Sequence, residues 1–158
     1  MMTKPSQKDQ KDLLHFDDLQ IGQRFISKNY TVDAEQIKSF ASQFDPQPFH
    51  LDDAAAEESF FGGLVASGWH TAAISMRLLV ETVGQRLIGG LIGKNAELSW
   101  PRPTRPGDTL QVECEILDIL PSQSKPEWGT VSIRNHTFNQ HHQIVQIFCA
   151  QILIKRKQ

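Results

Sequence analysis

The residues of this chain best suited to acid–base chemistry lie in one short run, Asp45-Pro46-Gln47-Pro48-Phe49-His50. Each proline fixes its own φ and removes a backbone donor, so the run is stiff. A stiff loop holds a carboxylate and an imidazole in fixed relation without an ordering cost at every turnover. Such a pair suits work on a water molecule: one group accepts its proton while the other orients it or returns a proton to the substrate. The same spacing also fits a plainer account, in which Asp45 caps a helix end and His50 is a satisfied surface histidine. A second run, Ser67-Gly68-Trp69-His70, sits where an apolar helix begins. Unpaired N–H groups at a helix start can receive a carbonyl oxygen as it becomes negative, and glycine permits close approach. The plainer account here is a helix cap by Ser67 with a glycine for tight packing. Ser67 lacks the surroundings of a nucleophile elbow, which argues against a serine hydrolase. No histidine pair has the spacing of metal ligands on one helix face, and His141-His142 reads as a solvated turn.

The elements that must position these runs can be read from local pattern. Asp33 is a good N-cap, with Gln36 as its capping-box partner and Val32 and Ile37 at the spacing of a hydrophobic staple. Ile37, Phe40, Ala41 and Phe44 then form one apolar helical face. Pro46 ends that helix at Phe44 or Asp45. Leu51 to Glu58 predicts a short second helix. From Trp69 to Leu87 the chain is apolar over much of a helical circumference, the mark of a buried helix, and Gly89-Gly90 ends it. Before the helices, Arg24 to Thr31 predicts a first strand. After them, Leu110, Val112, Cys114 and Ile116 alternate with polar residues, the period of a strand with one wet face. Val131 to Phe138 and Ile144 to Ile154 predict two more strands, with a hairpin turn over Asn139 to His142. The three prolines between Pro101 and Asp108 mark a connection. Helices followed by a run of strands imply an α+β domain, an antiparallel sheet curled around one central helix.

Size and charge exclude several classes. The 158 residues are one domain's worth, with residues 1–15 read as a mobile polar tail and 16–158 as the single domain. Sixteen basic against eighteen acidic residues leave a net charge of −2, with no general footprint for nucleic acid. No stretch approaches the length of a membrane span, and the polar N-terminus lacks the apolar core of a secretory signal. Cys114 and Cys149 sit in strand-like apolar runs and read as reduced core residues of a cytoplasmic protein.

Taken together, three segments resemble the MaoC-like dehydratase family, which includes (R)-specific enoyl-CoA hydratases. The family pattern is Asp, two residues, Pro, one residue and His, matched by Asp45 to His50. The run from Phe61 to Thr71 is similar to the family's entry to its central helix, and Leu98 to Leu110 to its later strand–turn–strand. Gln47 stands where the family usually has Asn. Many members carry a serine on the central helix where this chain has Ala73, with Thr71 and Ser75 nearby. The resemblance covers about residues 16–155. It implies a hot-dog fold, a homodimer or higher even assembly, and reversible syn hydration of trans-2-enoyl thioesters. Asp45 and His50 would then activate the water, and the Gly68 N–H would receive the thioester oxygen. Phe49, Phe61, Leu64, Ser67 and Trp69 are the expected substrate-binding residues, and Arg102 and Arg105 candidates for coenzyme A phosphates. No metal or redox cofactor is implied, since the coenzyme A thioester is itself the substrate. A hot-dog acyl-CoA thioesterase and a non-catalytic acyl-thioester binding module are the alternatives.

Overall fold

A computed structural model describes residues 13–158; the expected tail lies, for residues 1–12, outside the described residues. Residues 13–15 of that expected tail are described. Leu14 already pairs with Leu87, its N–H donating to the Arg86 carbonyl at 2.6 Å and its carbonyl accepting from Ile88 N–H at 3.0 Å.

The order of elements is β1 (Arg24–Ile26), β2 (Tyr30–Thr31), α1 (Ala34–Phe44), α2 (Pro48–Leu51), α3 (Asp53–Glu57), α4 (Gly68–Thr82), β3 (Ile92–Ser99), β4 (Thr109–Pro121), β5 (Trp128–Phe138) and β6 (Ile144–Lys155). The strands form one antiparallel sheet in the order β1-β4-β5-β6-β3, with β2 also paired to β4. The sheet curls around α4, which makes this the expected α+β hot-dog fold.

Local chemistry explains most of the boundaries. The Asp33 carboxylate accepts from Gln36 N–H at 2.8 Å and the Gln36 side chain accepts from Asp33 N–H at 3.2 Å, closing the capping box as expected. Helix α1 stops at Phe44, just ahead of Pro46. The helix expected over 51–58 is instead two short helices, because Pro48 starts α2 and Asp52 caps α3 by accepting from Ala55 N–H. The expected first strand is broken at Ser27. Its hydroxyl donates to the Lys28 carbonyl and accepts from Val112 N–H, diverting the chain between β1 and β2. The central helix ends at Thr82 rather than Leu87. A 3₁₀ turn over Gly84–Arg86 follows, and Gly84 packs where a Cβ would meet Leu91 at 2.8 Å.

Strand β4 shows the expected alternation, with Leu110, Val112, Cys114 and Ile116 facing inward. A register shift after Ile116 then disturbs the pattern and leaves Leu117 and Leu120 exposed. Strand β5 buries Val131, Ile133, Asn135 and Thr137 in turn. The core has two lobes. One joins the first half of α4 to α1 through Ile74, Leu78, Val32, Ile37, Leu110 and Val145. The other lies at the opposite end of α4, where Leu79 and Val83 meet Phe16, Phe25, Val131 and Ile154. Helix α4 is not buried all round, as its composition suggested: Trp69, Ala73 and Met76 are exposed, since the sheet covers only one side of it. Cys114 is a core residue whose thiol is pushed up to about 12 by burial, whereas Cys149 is only half-buried on the sheet. Both are free thiols. No described helix is long and apolar enough to cross a membrane.

Candidate active site

Pro46 and Pro48 set the chain between α1 and α2 so that Asp45 and His50 converge. His50 Nε2 lies 3.2 Å from Asp45 Oδ2, and the His50 side chain is 5% exposed. His50 Nδ1 lies 2.6 Å from the Val65 carbonyl. A carbonyl only accepts, so Nδ1 carries a proton and donates. Nε2 is therefore the atom at which a proton can come and go, and it faces the carboxylate. Burial pushes the Asp45 carboxyl upward. Hydrogen bonds from Ser67 and Gln47, together with His50, outweigh that and hold it below the ordinary value of 3.8. The Gln47 amide donates to Asp45 Oδ1 at 2.6 Å. The longer side chain in place of Asn thus reaches the Asp45 carboxylate directly.

Three separate loops are tied together around this pair. Val65 N–H donates to the Phe49 carbonyl at 3.3 Å, and Ala66 N–H to the Thr104 carbonyl at 2.8 Å. Thr71 Oγ1 donates to Thr104 Oγ1 at 3.0 Å. Helix α4 begins immediately after, with Ser67 capping Trp69 N–H at 3.2 Å. Gly68 is its first residue, so its N–H has no intrahelical partner. A Cβ at Gly68 would lie 2.7 Å from the Trp100 indole, which is why glycine stands there.

A cleft of about 450 Å³ opens over these groups, lined among others by Asp45, His50, Gly68, Thr71, Trp100 and Thr104. Of the expected binding residues, Phe49, Phe61, Trp69 and Arg102 also line it. Three expected binding residues do not. Ser67 is fully buried beneath it, acting on Asp45 and on the helix start. Leu64 packs into the core with Val32 and Ile37. Arg105 donates to the Phe61 carbonyl at 2.8 Å and so braces the wall from outside. His70 turns away and stacks on Phe40, with ring centroids 4.7 Å apart; burial pushes its pKa down. Ala73 is exposed, while Ser75 bonds the Thr71 carbonyl and Thr137 Oγ1, so neither reaches the cleft. Residue pattern missed Trp100, Thr104 and Gln146. Residue pattern read the proline-rich stretch after β3 as a connection, and only its two arginines as site candidates. Among the described residues, no group of three or more His, Cys, Asp or Glu side chains could hold a metal ion.

A sheet wrapped around one helix, with an Asp/His pair and the start of that helix lining one cleft, is a hot-dog arrangement. The MaoC-like domain family matches residues 18–136, and the chain belongs to that family. A crystal structure of a MaoC-like dehydratase from Rhodospirillum rubrum superposes with a TM-score of 0.88 at 52% identity, covering 92% of this chain and 99% of that one. The chain is 34% identical over 147 residues to the uncharacterised protein YdeM of Bacillus subtilis (strain 168), covering 90% of this chain and 100% of that protein. It is 30% identical over 115 residues to the 3-hydroxybutyryl-CoA dehydratase of Methylorubrum extorquens, covering 72% and 70% respectively. Family membership supports hydro-lyase chemistry on acyl thioesters.

Proposed function

We propose that this protein catalyses the reversible hydration of trans-2-enoyl-CoA to the (R)-3-hydroxyacyl-CoA. The observation that carries this reading is the Asp45–His50 pair, 3.2 Å apart, in one cleft with the Gly68 N–H at the start of α4. A water held between Asp45 Oδ2 and His50 Nε2 attacks the β-carbon of the enoyl group. The thioester oxygen accepts from Gly68 N–H, where the helix start favours the negative charge that develops. One proton of the water passes to the Asp/His pair as the C–O bond forms. The pair delivers one proton to the α-carbon, so charge and atoms balance. Both transfers use the same side of the substrate, which makes the addition syn. The name of the Methylorubrum extorquens relative supports an acyl-CoA substrate. In this reading Arg102, an exposed residue lining the cleft, meets phosphate groups of coenzyme A.

The exposed stripe of α4 and the outer edge of β3 support a homodimer. Among the described residues strand β3 pairs only with β6, and it is exposed over nearly all its length, an edge that proteins seldom leave open. Light scattering on the purified protein tests this, with a monomer at micromolar concentration as the contrary result. A cytoplasmic setting agrees with the two free thiols.

The test of activity follows the loss of conjugated enoyl-thioester absorbance on crotonyl-CoA, with a parallel titration of released thiol. Hydration without thiol release supports the proposal. Thiol release without hydration rejects it in favour of a thioesterase, and binding with neither reaction identifies a non-catalytic module.

A further inference from the structure

Trp100 lines the cleft with 39% of its surface exposed. Its indole lies so close to the start of α4 that a Cβ on Gly68 would come within 2.7–2.9 Å of three ring atoms. Trp69 meets it edge to face, with ring centroids 5.5 Å apart. The indole N–H donates to Gln146 Oε1 at 3.0 Å, and Gln146 is a buried residue of β6. The ring is thus fixed from three sides. Beyond it lies a second, smaller cavity of about 90 Å³, lined by Ala72, Ser75, Met76, Leu98, Asn135 and Gln146 among others. Gly68, Trp69 and Thr71 line the outer cleft, while Ala72, Ser75, Met76 and Leu79, on the following turns of the same helix, line the inner one. Trp100 borders only the outer space and Gln146 only the inner, so the hydrogen bond between them spans the partition.

We infer that Trp100, pinned by Gln146, is the specificity-determining residue that restricts this enzyme to short acyl chains. The inference rests on the hydratase reading above. A thioester oxygen on Gly68 N–H, with its β-carbon at Asp45 and His50, fixes the reacting carbons at the mouth of α4. A longer alkyl tail extending along that helix meets the face of the indole. The space behind the ring is the smaller of the two, about 90 Å³ against about 450 Å³ for the cleft. It also carries the Asn135 carboxamide oxygen, buried and without a partner among the described residues. An unpaired buried acceptor makes poor lining for methylene groups. A short enoyl group ends before the indole and needs none of this space.

The test measures kcat/KM for crotonyl-, trans-2-hexenoyl- and trans-2-octenoyl-CoA in the wild type, Trp100→Ala and Trp100→Phe. The wild type should fall by on the order of tenfold or more from crotonyl to octenoyl, the scale of one or more misfitted methylenes. Trp100→Ala should raise the octenoyl-to-crotonyl ratio by a similar factor. Trp100→Phe, which keeps an aromatic core but loses the N–H and part of the ring, should move the ratio the same way by less. Equal wild-type rates on the two lengths overturn the inference, as does an unchanged ratio in either folded variant. Calorimetry with butyryl-CoA and octanoyl-CoA separates this from the fate of the hydratase reading. If the wild type hydrates nothing but binds butyryl-CoA tighter than octanoyl-CoA, and Trp100→Ala or Trp100→Phe narrows the gap, the length stop stands and the reaction assignment falls. Binding that ignores chain length, or no binding at either length, removes the length stop.

Discussion

The two ends of α4 differ in what is buried with their apolar side chains. Around its N-terminal end, polar side chains are buried beside the first apolar lobe: Ser67, Thr71, Ser75, Thr104, Thr137 and Gln146 are each under 5% exposed. They are joined by short bonds, such as Ser75 to Thr137 at 2.7 Å and Thr71 to Thr104 at 3.0 Å. Around the C-terminal end, Leu79, Val83 and Leu87 meet Phe16, Phe25, Val131, Ile152 and Ile154 in an apolar cluster. One helix therefore serves two ends with different tasks. Directional bonds place three loops at one end, which a non-directional apolar contact does not do. Removal of apolar surface from water stabilises the fold most strongly at the other.

This division can be broken at either end. The largest effect is expected on rate: Asp45→Asn and His50→Ala should each lower hydration on the order of 10²–10⁴-fold while Tm stays near that of the wild type. Turnover close to wild type in either folded variant would remove that residue from the mechanism. At the other end, Phe16→Ala should cost about 3–5 kcal/mol of stability. Phe16 fills space against Gly129, and Arg156 lies over its ring at 5.6 Å. Thermal unfolding should show a loss on the order of 10 °C in Tm, with kcat per folded molecule unchanged. A matching fall in kcat would mean that the two ends are coupled.

The smallest effect concerns pH. The Asp45 carboxyl is held below its ordinary value despite burial, with Ser67 and Gln47 supplying hydrogen bonds. A carboxyl depressed in the native state stabilises the fold above its unfolded pKa, and that contribution is lost as pH falls through the native value. Ser67→Ala and Gln47→Ala each remove a donor to the charged form. The acid limb of kcat/KM should therefore move to higher pH in both. A limb that stays in place in both variants would show that these donors do not tune the carboxylate.

What could be read from the chain before its coordinates follows the reach of the forces involved. Asp33 and Gln36 meet across three residues, and Asp45 and His50 across five with prolines between, so neighbouring residues and backbone stiffness decide both. The inward alternation of β4 was legible up to Ile116, where the register shift disturbs it. Trp100 and Gln146 are 46 positions apart and become partners only through the pairing of β3 with β6, where Ser99 lies opposite Ile147. Leu64 was expected at the site as an apolar lining residue, and Arg105 as an arginine of the proline-rich turn able to meet phosphates. The first points into the core and the second braces a wall. Asn135 and Thr137 continue the inward face of Val131 and Ile133, but a polar residue in a strand does not announce that it faces a helix rather than water.

The fit of Gly68 beneath Trp100 ties the fates of two distant positions. Every residue except proline can offer an amide hydrogen at the start of α4, so the proposed chemistry alone does not require glycine there. The indole does. A descendant of this sequence is free to acquire a methyl group at position 68 only after position 100 has shrunk, and the order of those two changes decides whether the intermediate protein survives.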